Sequence, residues 1–450
     1  AGDLLGLATT NALELGVDVS GLDAVVVCGW PGRRASLWQQ AGRAGRGGES
    51  ALVVLVARDD PIDAYLVRHP EAIFGEPVEA TVLDPENPYV LGPQLCAAAA
   101  ELPLRPEELG LFGAGARSVV DAIVAQGAMR ARPSGWFWTR PDRATDLVDL
   151  RGTGDEPFRV VDGGTGRVIG TVDAASAHRT VHPGAVYLHG GASWLVDQLD
   201  PDDRCALVEP ADGRVSTQAR ELTEIRIVHT LREQEWGACV LRSGLVDVTS
   251  QVVAFARRAV PSGRLLGLHP LDLPSRTLRT AAVWWTVPGA VARDAGLEPG
   301  DVPGAAHAAE HASIGLLPLF ATCDRWDIGG VSTARHPDTG QLTVFVHDGH
   351  PGGSGHAERG FEAAAAWLSA TRDAIAGCPC DSGCPACVQS PKCGNGNHPL
   401  DKRGAHRLLA ALLSGVPREV AEATVRRAGA RRDDTPDRTR QGDRTGRPPG

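Results

Sequence analysis

The 450-residue chain is 42% hydrophobic and 22% charged, with a formal net charge of −10. That balance suits a globular protein of roughly three domains and argues against a wholly basic nucleic-acid coat, while leaving room for a local basic groove. No apolar run approaches the roughly 20 residues of a membrane span and no basic-then-apolar leader opens the chain, so a cytoplasmic protein without membrane contact is expected.

The chain opens on "AGDLLGLATTNALELGVDV", which reads as the middle of a domain, so a fragment of a longer polypeptide is expected. "LDAVVVCGW" and "SALVVLVA" are short Val-rich runs of the kind found in buried parallel strands. Between them "SLWQQAGRAGRGG" reads as a helix that ends in glycines, giving strand, helix, strand over the first 60 residues. Residues 81–103 form a Pro-rich connector that ends in a short Ala-rich helix. A helix over 117–126 closes at Gly127, and "AMRARPSGWFWTR" then reads as a hairpin, a pattern like a winged helix over 104–145. Short alternating runs between Gly and Asp turns predict a small all-β barrel over 146–230. Residues 231–417 mix strands with the helices "AHAAEHASIGLLPLF" and "GFEAAAAWLSATRDAIAG", and "WTVP" reads as a core strand with Trp284 and Trp285. The tail, 418–450, is Arg-rich and expected to be disordered.

Two strings carry the strongest chemical signal. "ATTNALELGVDV" is followed by "QQAGRAGRGG", which sets Arg43 and Arg46 three apart on one helical face. Gly42 and Gly45 let the backbone approach a partner closely, and planar guanidinium forks match phosphate oxygens. Such arginines stabilise charge on a transferring phosphoryl group.

These strings resemble motifs V and VI of the second RecA-like domain of superfamily 2 DEAD/DEAH-box helicases. The continuation, including "HPGAVYLHGG" and "CGNGNHPLDK", resembles RecQ-like repair helicases of the MrfA type. The resemblance implies a multidomain α/β and β architecture: a partial RecA-like parallel sheet over 1–80, the winged helix, the β-barrel, and an α+β zinc-binding domain. It implies that Gln39, Arg43 and Arg46 face the γ-phosphate of ATP, with the two arginines as fingers. Gly16 and Asp18 would couple nucleotide to DNA, and Thr10 and Asn11 would lie near the DNA backbone. The implied activity is ATP-dependent 3′-to-5′ translocation on single-stranded or forked DNA, by a monomer, in DNA repair. The chain contains no G-x-x-x-x-G-K-[ST] loop and no D-E-x-H string. Those ATP- and Mg²⁺-binding elements would lie upstream of residue 1, so the chain alone is expected to hydrolyse no ATP.

"CPCDSGCPACVQSPKC" holds five of the ten cysteines. The other five are scattered, which suits a reducing compartment where clustered cysteines mean metal. The spacing fits a closed structural Zn²⁺ site. Cys380, Cys384, Cys387 and Cys393 are the expected ligands, with Cys378 the alternative. On the hairpin, Arg132, Trp136 and Trp138 are candidate DNA contacts, the two tryptophans sharing one face. "HAAEH", His307 to His311, matches the inverted zinc-peptidase pattern and would need a third ligand from downstream. "VHDGHPGGSGHAERGF" joins a strand to a helix and reads as a tight turn that needs glycine, with an anion site at the helix start as the alternative. A stand-alone nucleic-acid-binding zinc module is the other alternative to the helicase reading.

Overall fold

The computed structural model describes residues 5–16, 22–45, 50–79, 81–148 and 156–420. Four units follow one another along the chain. In the first, strand β1 (Ala24–Cys28) and β2 (Leu52–Val56) pair in parallel, with helix α1 (Arg34–Ala41) between them in sequence. Helices α2 (Pro61–Arg68) and α3 (Glu71–Phe74) follow. Buried Asp63 on α2 accepts the backbone N–H groups of Trp30 at 2.9 Å and Arg58 at 2.7 Å. One carboxylate thus fixes the loops that leave both strands.

The winged helix comprises α4 (Pro88–Glu101), α5 (Ala116–Ala125) and the hairpin β3 (Met129–Arg132) and β4 (Gly135–Trp138). Helix α4 was expected in a connector, but its Leu91, Leu95 and Cys96 pack with Val120, Met129 and Trp136 in one core, so it is the first helix of this unit.

The β unit is a five-stranded sheet of order β6-β5-β9-β8-β7. Its strands are β5 (Phe158–Asp162), β6 (Val168–Val172), β7 (Val186–His189), β8 (Ala192–Asp200) and β9 (Cys205–Ala211), with helix α6 (Ala174–Thr180) between β6 and β7. It differs from a closed barrel, because β6 and β7 share no ladder. They still meet, since a Cβ placed on Gly170 of β6 would lie 2.9 Å from the His189 ring of β7. The sheet is therefore a half-barrel drawn together by side chains.

The last unit begins earlier than residue 231. Strand β10 (Val215–Trp236) runs through the expected boundary and pairs along its length with β11 (Cys239–Ala259). Bulges at Ile227/His229 and Thr230/Arg232 accommodate so long a hairpin. With β12 (Leu265–Pro270), β13 (Arg276–Val287), β14 (Ile328–Thr333) and β15 (Leu342–Asp348) these form a six-stranded sheet. Trp284 and Trp285 are both fully buried on opposite faces of β13, as the "WTVP" reading expected of a core strand. Helix α7 (Gly289–Asp294) leads to α8 (Val302–Leu316), which is apolar nearly all round and buried accordingly. Helices α9 (Pro318–Ala321), α10 (His356–Glu362), α11 (Ala364–Gly377) and α12 (Lys402–Ser414) complete the unit.

The Gly-rich turn before α10 is closed by its own chain. Asp348 is fully buried and accepts the N–H groups of Ser354 at 2.5 Å and Ala357 at 2.9 Å, so a carboxylate already occupies the helix start. Asn87 then reaches across from the winged helix. Its Oδ1 caps α4 through the Tyr89 N–H at 2.9 Å, and its Nδ2 donates to the carbonyls of Pro351 at 2.8 Å and Gly353 at 2.6 Å. Asn87→Ala removes a cap and strands buried carbonyls together. A loss of about 2–4 kcal/mol is expected, read as a lower urea midpoint and faster proteolysis near residue 87. An unchanged midpoint would show that this side chain does not join the two units.

Candidate functional site

The turn over 9–16 and helix α1 meet. Glu14 is the hinge: its carboxylate accepts from Gln40 Nε2 at 3.0 Å, and its carbonyl accepts from Arg43 Nη2. Gly45 adopts φ +69° and donates its N–H to the Leu22 carbonyl at 3.1 Å, which turns the chain back beside β1. Gly42 sits at the α1 C-cap, where a Cβ would press to 3.1 Å on the Trp38 carbonyl. Gly16, at φ +79°, also needs the left-handed region. Thr10, Asn11 and Gln39 are exposed and Arg43 is half-buried. Asp18 and Arg46 lie outside the described residues. Sequence reasoning missed Glu14 and Gln40, whose pairing no local spacing shows.

Thr10, Asn11, Gln40 and Arg43 line a cleft of about 1240 Å³. Its opposite wall comes from the last unit, through Arg325, Trp326, Pro391 and Asn397. Asp60 at the α2 N-cap pairs with Arg325 at 2.9 Å across this junction. Burial raises the Asp60 carboxyl above its ordinary range, with Arg325 opposing that shift. Lys392 donates to the carbonyls of Arg325 at 3.0 Å and Ile328 at 2.7 Å and lies over the Trp326 ring. Burial pushes its ammonium down to about 8.

The hairpin corrects one expectation. Trp136 is 6% exposed, in the winged-helix core, with the Arg117 guanidinium 5.4 Å from its ring centre. It is packed too deeply to stack on a base. Trp138 is half-buried, and its indole N–H donates to the Asp142 carbonyl at 2.8 Å. Arg132 and Arg130 are exposed, and half-buried Phe137 pairs with Arg130 across the hairpin. Two-residue alternation therefore turns Phe137 to the face opposite the buried tryptophan.

The cysteine cluster also differs from the expected set. Cys378, Cys380, Cys384 and Cys387 converge, with sulfurs 3.5 Å apart for 378–384 and 380–387, 3.6 Å for 378–380 and 3.8 Å for 384–387. Four thiolates about 2.3 Å from a tetrahedral Zn²⁺ stand about 3.8 Å apart, so the donor set fits zinc and leaves no open position. Cys378, the alternative, takes the fourth corner. Cys393 is held elsewhere, 3.5 Å from His307 Nε2. Buried Lys402 donates to the carbonyls of Cys378 at 2.7 Å and Cys380 at 2.5 Å and lies 3.4 Å from Cys380 Sγ. Its charge offsets part of the negative charge of four thiolates around one divalent ion. Glu310 hydrogen-bonds Ser332 on β14, and the ligand-type side chain that joins the two histidines of "HAAEH" is the Cys393 thiol.

Three protein families match separate segments: the helicase conserved C-terminal domain at 1–48, the winged helix domain of ATP-dependent helicase HRQ1 at 83–153, and the MrfA Zn-binding domain at 309–388. The last contains all four converging cysteines and stops short of Cys393. An uncharacterized ATP-dependent helicase, YprA of Bacillus subtilis, is 34% identical over 393 residues, which is 86% of this chain and 52% of YprA. The ATP-dependent helicase HRQ1 of Saccharomyces cerevisiae is 29% identical over 435 residues, 92% of this chain and 40% of HRQ1. A crystal structure of the DUF1998 helicase MrfA bound to DNA superposes with a TM-score of 0.58 at 32% identity, covering 91% of this chain and 54% of that one. The chain thus spans about half the length of the relatives it matches. Among the described residues no helix is long and apolar enough to cross a membrane.

Proposed function

We propose, from the premise that this chain belongs to the MrfA and Hrq1 family of helicases, that it is the nucleotide-sensing and DNA-guiding part of an ATP-dependent DNA translocase. The observation that carries the reading is the junction at Glu14. There the Arg43 finger and the Thr10–Asn11 turn are joined by hydrogen bonds at the rim of one cleft. Movement of an arginine finger toward phosphate would therefore be felt at the DNA-facing turn. Gln39 and Arg46 would complete the phosphate-facing set, and Gly16 and Asp18 the link to DNA.

A second feature supports a shared active site. Val26, Leu52, Val53, Val54 and Val56 on the parallel pair are exposed by 37–61%. Parallel strands are ordinarily covered by helices on both faces, so the rest of a RecA-like domain would cover them. ATP and Mg²⁺ would be held by a phosphate-loop half, while Arg43 and Arg46 supply positive charge from this side. The chain by itself would then bind DNA without turning over ATP. Arg130, Arg132 and Phe137 would present the hairpin's DNA-facing groups, on single-stranded or forked DNA, with Trp138 behind them against the core. A cytoplasmic monomer acting in DNA repair, moving 3′ to 5′, completes the reading.

The test uses the 450-residue chain with a labelled forked oligonucleotide. Binding that weakens steeply with salt, alongside ATP hydrolysis at background, is the expected result. ATP turnover by the chain alone, or no salt-dependent binding, overturns it.

A further inference from the structure

Cys393, left over from the zinc cluster, sits in a second constellation. Helix α8 carries His307 and His311 one turn apart. His307 Nδ1 is 2.8 Å from the Pro399 carbonyl and His311 Nδ1 is 2.9 Å from the Val388 carbonyl. A carbonyl only accepts, so each Nδ1 carries the proton and each Nε2 keeps a lone pair. Metal-ligating histidines are oriented by the same kind of second hydrogen bond. The ligand atoms of His307, His311 and Cys393 lie within 4.8 Å of one another.

The distances suit a metal. Zinc bonds of about 2.3 Å to sulfur and about 2.0 Å to nitrogen, at the tetrahedral angle, set the two donors about 3.5 Å apart. The Cys393 Sγ to His307 Nε2 separation is 3.5 Å. An S–H···N hydrogen bond has a similar length, so proton counting decides. The thiol carries one proton, yet two imidazole lone pairs face it, and His311 and Cys393 are both buried. A metal-free thiol can donate to only one of the two imidazole nitrogens; a cation takes all three donors. The Asn397 N–H also points at Cys393 Sγ from 3.1 Å, the same N–H to sulfur contact that Cys384 makes with Cys387 at 3.3 Å in the zinc cluster. The Asn397 side chain brackets Ser390, accepting its N–H at 2.8 Å and donating to its carbonyl at 3.0 Å, so the loop that delivers Cys393 is closed on itself.

We propose that His307, His311 and Cys393 form a second metal site, separate from the four-cysteine cluster, that takes a borderline divalent ion of the Zn²⁺ class. Two imidazoles and one thiolate, with no carboxylate, select such an ion over Mg²⁺ or Ca²⁺. The fourth position belongs to solvent or a small exogenous donor, on the side of half-buried His307. The ion ties α8 to the loop after Cys387. That loop also contributes Gln389, Ser390 and Asn397 to the wall of the cleft shared with Arg43. The second ion therefore stiffens the part of that wall that follows the zinc cluster in the chain.

Metal content separates the possibilities. The 450-residue chain, saturated with Zn²⁺ and freed of excess by gel filtration, is expected to retain two equivalents by elemental analysis. Cys393→Ser and His307→Ala should each lower that to one. A single equivalent in the unaltered chain, or two equivalents that survive Cys393→Ser, overturns the proposal. Should the variants fail to fold, Co²⁺ loaded into the unaltered chain decides. Two successive spectral species, one of four-thiolate type and one with a single weaker sulfur-to-cobalt band, support the second site, and a four-thiolate species alone refutes it.

Discussion

Cys378→Ser is expected to destabilise the C-terminal unit by on the order of 5 kcal/mol, and zinc removal by a strong chelator to do the same. The four thiolates gather residues 378–387 into a knot with little other regular structure. Its grip on the rest runs through buried Cys378 and Cys387, which belong to the same core as Trp285, Trp367 and Leu408. Zinc binding in small finger domains is worth about 10 kcal/mol or more. Here the six-stranded sheet and α8 supply a core of their own, so the unit loosens without unravelling. Near-UV circular dichroism reports this directly, because Trp285 and Trp367 meet edge to face at 5.9 Å beside the knot. The winged helix, with a separate core, should keep its own transition. Cys393→Ser should leave the four-thiolate cobalt spectrum intact. A Cys378→Ser protein with an unchanged melt and an unchanged four-thiolate spectrum would show that Cys393 completes the knot instead.

That contrast marks where the sequence was legible. Five cysteines in sixteen residues announce a metal, because thiolates cluster only when something holds them together. Which four bind depends on a helix far away in the chain: His307 and His311 take Cys393, leaving Cys378 for the zinc. Local spacing carries no trace of that claim. The strands of the first unit and the wing were readable for a similar local reason, as Val-rich runs and a Pro-Ser-Gly turn act over a few residues. Trp136 was harder. Alternation put it on one face with Trp138 without saying which face was core, and α4, read as connector, is what covers it. Strand β10 crossed its expected boundary because the alternation in "LTEIRIVHTLREQEW" is interrupted where bulges fall at Ile227/His229 and Thr230/Arg232, and only the partner strand β11 shows it as a single ladder.

In a helicase formed by this chain and a phosphate-loop half, Arg43→Ala is expected to lower kcat for ATP by about 10³-fold or more. An arginine finger acts on charge that develops as the γ-phosphoryl leaves, so kcat should fall far more than KM rises. Arg43→Lys should recover little, because an ammonium cannot reproduce a planar fork. The half-buried guanidinium also donates to the Glu14 carbonyl, which offers a competing explanation for any defect. A purely architectural Arg43 would loosen the 9–16 turn, weakening DNA stimulation and lowering the melting temperature while basal turnover stayed within about threefold. A finger would abolish basal and DNA-stimulated turnover alike and leave salt-dependent DNA binding unchanged. Glu14→Gln gives the control. It perturbs the Gln40 contact at 3.0 Å but keeps the carbonyl that Arg43 uses. Its ATP turnover should therefore stay near that of the unaltered protein. Equal losses in Arg43→Ala and Glu14→Gln would assign the effect to the turn and remove Arg43 from the reaction.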